Sequence, residues 1–262
     1  MIPRFKPLAL LAVAALATAV PAARADVTLT MQSTINSPML DKAREHMTPQ
    51  QEDTIDSMLR NTMYMSGKRY RMDMAIMSFI VDAGAKQMTL LNTNQHTYAV
   101  TPISPDAMKM MMGSAGLPQG QGTTPTYTVK DTGKSTKYLG HTCRHYIMDM
   151  TMTMPQIGTM KTHSDVLAAT DLPGLDAGVY EALAMQMGVK GQQMHGVPLL
   201  TKSVITGGVI GTMDMEQKAQ DISTEPIPAD KFEVPAGYTE KTSAEFFKGL
   251  TPGGRPAQPM VQ

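Results

Sequence analysis

Methionine recurs at every second position from Met148 to Met154 in the stretch HYIMDMTMTMP. Successive side chains of a β-strand point to opposite faces. Tyr146, Met148, Met150, Met152 and Met154 are therefore expected on one face, with Asp149, Thr151 and Thr153 on the other. Met72 and Met74 repeat the pattern in YRMDMAI, and Met213 and Met215 repeat it in GTMDME. If these strands share a sheet, their thioethers form one surface. Several chemistries fit it. The plainest is the buried face of a sheet, with methionine in the place of valine or leucine. A second is a binding wall for apolar ligands of varied shape, because methionine is unbranched and adaptable. A third is a site for Cu(I) or Ag(I), which thioethers suit. Against the metal, the pairs lie inside strands with acids or threonines between them. Exposed thioethers also serve as oxidant sinks by becoming sulfoxides, a role that burial would oppose.

A second constellation adjoins the first. His141, Cys143 and His145 in GHTCRHY fall on one strand face, opposite the methionines if no bulge intervenes. A thiolate and two imidazoles are most of a Zn or Cu site. Positions i to i+4 of a strand span about 13 Å, so one ion would need a kink or a residue from a neighbouring strand. The competing reading is a small buried thiol between two exposed histidines. Enzyme signatures are missing: there is no Gly-x-Ser-x-Gly elbow, no His-Glu-x-x-His, no phosphate-cradling loop and no Cys-x-x-Cys. No catalytic residue is assigned, no cofactor is expected beyond the Cu(I) or Zn just considered, and the chain reads as a non-enzyme.

The elements that would carry these residues are mostly strands. DVTLTMQST alternates, with Val27, Leu29 and Met31 on one face. Residues 38–60 are charged and interrupted by Pro49, which predicts a loop or short helix. TMYMSGKRYRMDMAIMSFIVD reads as a hairpin turning at Ser66-Gly67, with Tyr70, Met72, Met74 and Ile76 on one face. Another hairpin turns at Asn92–Asn94. SPDAMKMMMG predicts a short helix with Ser104 as N-cap and Gly113 as terminator, and a mobile loop is expected up to Pro125. Strands resume from Thr126 through VLA near Ala168. Val179, Leu183 and Met187 then recur at helical spacing, predicting a helix over Leu175–Gly188. Two further strands precede IPADKFEVPAGYTE and a Pro/Gly-rich end.

The first 25 residues have a basic start, an apolar run from Leu8 to Val20 and the small-residue ending Ala23-Arg24-Ala25. That is the layout of an export signal cleaved after Ala25. The apolar run is too short to span a membrane. No cysteine follows it, so a lipoprotein is not expected, and the mature chain would be periplasmic or secreted with no integral membrane segment. The chain carries 23 bases and 23 acids; without Arg4, Lys6 and Arg24 the balance is 20 to 23, a net −3. Nucleic acid and anionic membranes are thus poor partners. Protein partners are not indicated. The single cysteine cannot form an internal disulfide, and the absence of Trp and scarcity of other aromatics argue against an outer-membrane barrel. The expected organisation is a signal over 1–25, one β-rich domain over 26–240 and a disordered tail over 241–262.

GKRYRMDM, DTGKSTKYLGHTCRHY, SDVLAATDLPG, GVPLLTKS and IPADKFEVPAGY occur here in an order that resembles the family called domain of unknown function 4412. The resemblance spans roughly Val27 to Tyr238. Its most specific parts are Gly140-x-x-Cys143-x-x-Tyr146 and the Phe-x-Val-Pro-x-Gly-Tyr run from Phe232 to Tyr238. The family in turn is similar in architecture to lipoprotein carriers of the LolA and LolB kind. The resemblance implies an open half-barrel cupping helices over an apolar cavity, and implies no catalytic residues.

Pattern and resemblance together predict an α+β, mostly β fold: a curved antiparallel meander sheet, an open half-barrel, with a few short helices on its concave face. The expected role is to hold an apolar or lipid-like molecule in a concavity lined by Met72, Met74, Met148, Met150, Met152, Met154, Met213 and Met215. The alternatives are a soft-metal binder using the same methionines, and a structural envelope module with no ligand.

Overall fold

The structure, a computed structural model, describes residues 26–104, 126–154, 158–172, 194–207 and 211–250. The helices expected over Ser104–Gly113 and Leu175–Gly188, the loop up to Pro125, the signal over 1–25 and residues 251–262 fall outside them, apart from Ser104.

Among the described residues, twelve strands form one open, curved sheet. β1 (Asp26–Asn36) is central. On one side it is followed by a meander of β2 (Arg60–Ser66), β3 (Arg69–Asp73), β4 (Met77–Asp82), β5 (Gln87–Asn92) and β6 (Thr97–Pro102). On the other side it pairs with β11 (Gly211–Ser223), beyond which lie β10 (Val197–Gly207), β9 (Gly158–Ala169), β8 (His141–Met154) and β7 (Thr126–Tyr138). All these pairings are antiparallel. The ladder is irregular at Thr30/Met31 against β11 and at Pro198/Leu200 against β9, and such bulges bend strands and increase twist.

The expected first hairpin contains three strands. β3 ends at Asp73, the Met74 N–H donates to the Met77 carbonyl at 2.9 Å, and the chain reverses into β4. Ile76 is therefore an exposed turn residue and not the end of the Tyr70–Met74 face. Residues 38–58 form two helices, α1 (Pro38–Arg44) and α2 (Pro49–Met58). Pro49 opens the second of them, where its missing N–H removes no helical bond. Thr48 caps α2 reciprocally with Gln51.

Directly opposed residues in an antiparallel ladder point to the same side of the sheet. One row runs Leu29–Met63–Met72–Phe79–Leu90–Ala99 from β1 to β6. Another runs Ile35–Met215–Ser203–Ser164–Met148–Val129 from β1 to β7. Leu29 and Ile35 share one face of β1, so both rows lie on the same side, here called the front. The main core includes Val27, Leu29, Met31, Met65, Val81, Met88 and Leu90, with Met63, Met72 and Phe79 packed against it. Of these, Val27, Leu29 and Met31 fall on the alternation read in the sequence, and Met72 was read as part of the methionine surface.

The C-terminal segment wraps the β6 edge. The Ile227 N–H donates to Oδ2 of buried Asp26 at 2.7 Å, and Ile227 and Phe232 pack against Ile80 and Leu91 on the back. Arg69 stacks over the Phe232 ring at 4.6 Å. β12 (Thr239–Glu240) then adds to β6 in parallel. Finally α3 (Ser243–Leu250) buries Phe246 in the main core. The tail expected from residue 241 thus starts with a docked helix. Its signal was Thr242-x-x-Glu245, a capping pair in which the Thr242 N–H donates to Glu245 Oε2 at 3.0 Å and the Glu245 N–H to Thr242 Oγ1 at 3.3 Å.

Candidate functional site

On the β7–β11 limb, a second front row runs Met213–Ile205–Thr162–Met150–Tyr127. Met152 lies directly opposite Met160. Methionines on β11 and β8 thus flank two inner strands whose front residues are Ser203 and Ile205 on β10 and Ser164, Thr162 and Met160 on β9. Ser164 and Ser203 are buried and hydrogen-bonded to each other, Oγ to Oγ at 2.8 Å. Thr162 Oγ1 is buried and has no hydrogen-bond partner among the described residues. The arrangement, here called the trough, is a hydroxyl-bearing strip, its floor, between thioether rails on β8 and β11 about 14 Å apart, three strand spacings.

The rails are half-buried. Met148, Met150, Met152, Met213 and Met215, and Met160 beside them on β9, are all intermediate in exposure, whereas Met31, Met65 and Met88 in the main core are 1%, 3% and 5% exposed. On the same side, Tyr146, Val166 and Ala168 form a buried cluster, separate from the main core, against which Met148 packs. The Tyr146 hydroxyl donates to the His195 carbonyl at 3.2 Å, fixing the entry to β10. Of the eight methionines singled out by pattern, Met148, Met150, Met152, Met213 and Met215 therefore line this trough. Met72 belongs to the β1–β6 half, packed against the main core, and Met74 lies just beyond β3, half-buried. Met154 ends β8 opposite Gly158, and its side chain is outside the described residues. Met160 and the Ser/Thr floor were not foreseen. The turn between β8 and β9 brings Met160 to Met152, a contact that alternation within one strand does not reveal.

His141, Cys143 and His145 share the parity of β8 opposite to its methionines, and each has its own surroundings. His141 Nδ1 pairs with Asp171 at 3.2 Å, and His145 Nε2 with Asp165 at 2.8 Å while its Nδ1 meets Thr132 Oγ1 at 3.0 Å. A third pair, His163 Nδ1 to Asp149 at 2.7 Å, continues the ladder. The hydrogen bond that His163 donates to Asp149 raises the His163 pKa, and the Thr142 N–H, then His141, lower that of Asp171. Cys143 is 0% exposed in the main core, its thiol directed at the His141 carbonyl 3.7 Å away, and burial pushes its pKa up. The three residues are thus not brought to a common point. Among the described residues no three His, Cys, Asp or Glu gather as a metal cluster.

The motif residues have structural work. Leu139 and Gly140 have φ of 48° and 83° and turn β7 into β8; Cys143 fills core and Tyr146 anchors β10. Gly237, with φ 87°, supplies the turn of the Phe232–Tyr238 run before β12.

The family described as Domain of unknown function (DUF4412) matches residues 46–238. No curated protein matches the chain. Among solved structures, that of PNGF-II is similar at 12% identity and a TM-score of 0.42, over 87% of this chain and 32% of that one, so this chain spans about a third of its length. A LolA superfamily protein from Nitrosomonas europaea is similar at 6% identity and a TM-score of 0.28, over 79% of this chain and 89% of that one. An outer membrane lipoprotein-sorting protein domain from Vibrio parahaemolyticus is similar at 11% identity and a TM-score of 0.25, with the same coverage. At such scores the likeness says nothing about what this chain binds.

Proposed function

That the chain belongs to the DUF4412 family is the premise from which we propose that it holds an apolar or amphipathic, lipid-like molecule against the methionine trough of its sheet. The observation that carries the reading is the half-buried state of the rails. A thioether lining that is only partly covered leaves apolar surface for a ligand, and its flexible side chains can reshape around one. The unpartnered Thr162 hydroxyl on the floor favours a molecule with a polar group in addition to a hydrocarbon part. The described helices support the same placement, since α2 meets β2 and α3 meets β6, away from the trough. The role is binding and not catalysis, in an exported chain cleaved after Ala25. The export layout of the first 25 residues supports that location. Among the described residues no helix is long and apolar enough to cross a membrane.

Native mass spectrometry of the gently purified protein tests the reading. A co-purifying lipid-like mass, absent from Met150→Asp, is the expected result. A bare mass together with no uptake of the fluorescent dye N-phenyl-1-naphthylamine would sink it.

A soft-metal reading keeps one specific support, the direct opposition of Met152 and Met160 with Met150 one strand repeat away. Rails about 14 Å apart cannot share an ion, which confines Cu(I) or Ag(I) to the β8–β9 side. One equivalent of Ag(I) bound by the protein, and lost with Met150, Met152 and Met160 all changed to leucine, would favour it. Unchanged uptake by that variant would dismiss it.

A further inference from the structure

Met31, Met65 and Met88 are sealed in the core, while Met148, Met150, Met152, Met160, Met213 and Met215 are half-open and share one face of neighbouring strands. Met63, Met72, Met74 and Met77 are half-buried on the other limb, and Met58 on α2 is 51% exposed. We infer that the trough methionines are a reversible oxidation site that switches ligand holding off. The inference rests on the binding reading above. The oxidant is a two-electron oxygen donor of the hypochlorous acid class. The thioether sulfur takes up its oxygen, chloride leaves, and one proton passes to water; sulfur is oxidised by two electrons and chlorine reduced by two. The product is a methionine sulfoxide, polar where the side chain had been apolar. Reduction returns the thioether and releases the oxygen as water, with two electrons and two protons from a thiol reductant.

Position explains why such a switch need not unfold the protein. Sulfoxides on the rails meet solvent and the Ser203–Ser164 floor, which tolerate a dipole. The same change at Met31 or Met65 would place a dipole in sealed core. Six sulfurs, five on the rails and Met160 beside them, make the response graded: each sulfoxide facing hydrocarbon weakens ligand holding by about tenfold.

The test exposes the full chain to a few equivalents of hypochlorous acid, maps oxidation by peptide mass spectrometry and follows N-phenyl-1-naphthylamine binding. The expected map shows Met148, Met150, Met152, Met160, Met213 and Met215 oxidised about tenfold or more ahead of Met31, Met65 and Met88, with the circular dichroism spectrum unchanged. Dye binding should fall by about tenfold or more and return with methionine sulfoxide reductases and dithiothreitol. Changing Met58, which is 51% exposed on α2, to leucine should leave dye binding and its sensitivity to the oxidant unchanged. Equal oxidation of sealed and trough methionines in folded protein, or an oxidant effect that is lost in Met58→Leu, overturns the inference. Dye binding that survives oxidation overturns it alone, whereas no dye binding before treatment overturns the ligand reading and this inference with it.

Discussion

Replacing Phe246 with alanine tests whether the fold extends around the β6 edge into α3. Phe246 is 2% exposed and belongs to the main core. Truncating a packed phenylalanine costs about 3–5 kcal/mol. A terminal helix relaxes into the space more readily than a central strand, which points to the low end. The edge-to-face contact with Phe247, with ring centroids 5.6 Å apart at 87°, is lost in the same change and adds about 1 kcal/mol. Phe246→Ala should therefore destabilise the protein by about 3–4 kcal/mol. With a urea m-value of about 3 kcal/mol per molar, the midpoint falls by about 1 M. Urea titration followed by circular dichroism reads this directly, and removal of residues 241–262 should lower the midpoint at least as far. An unmoved midpoint in Phe246→Ala would mean that the helix contributes no packing and that the folded unit ends before residue 241.

Gly196→Ala should be severe. Gly196 has φ 101°, and a Cβ there would collide with the backbone carbonyl of Ala169, so a loss of at least about 2 kcal/mol is expected in thermal unfolding. Gly133→Ala, with φ 75° but open space, should lose only about 1 kcal/mol. Cys143 should resist iodoacetamide in the folded protein and add one carbamidomethyl group after denaturation, because its thiol is buried and held protonated; ready labelling of native protein would contradict its placement. His163 has a pKa raised above its unfolded value by Asp149. Its contribution is complete below the unfolded imidazole pKa and is lost as pH rises through the folded one. The pair is exposed, 53% and 56%, so its effect on stability is small. The imidazole titration seen by NMR should nonetheless move down in Asp149→Asn.

Strand parity was the most legible part of the sequence. The Met148–Met154 alternation, the GTMDME pair and the placement of His141, Cys143 and His145 opposite the methionines all follow from a period of two, which the long regular ladder of β8 and β9 preserves. The turn at Met74–Ile76 was not legible because three apolar residues carry no glycine, proline or asparagine to mark it. The trough was only half visible. Its methionine rails announce themselves, but Ser164 and Ser203 look like ordinary strand hydroxyls until register places them side by side. The histidines likewise suggest a shared ligand until the neighbouring strand supplies Asp165 and the chain beyond it Asp171, giving each ring a separate carboxylate. Partners that arrive across a ladder are set by register, and register is not written in any single strand.

The position of β1 has a kinetic consequence. The first strand of the sheet is flanked by β2 and by β11, so Thr28 lies against both Tyr64 and Ser223. A growing chain can pair β1 with β2 early, since that contact is local. The other edge stays open until Gly211–Ser223 has been made. Closing so long a loop is slow, and an open central edge is a template for pairing with other chains. The folding barrier should accordingly be dominated by docking of the β7–β11 meander onto β1. Nascent or truncated chains lacking β11 should aggregate through Val27, Leu29 and Met31, while mutations confined to the β6 edge leave the refolding rate largely unaltered.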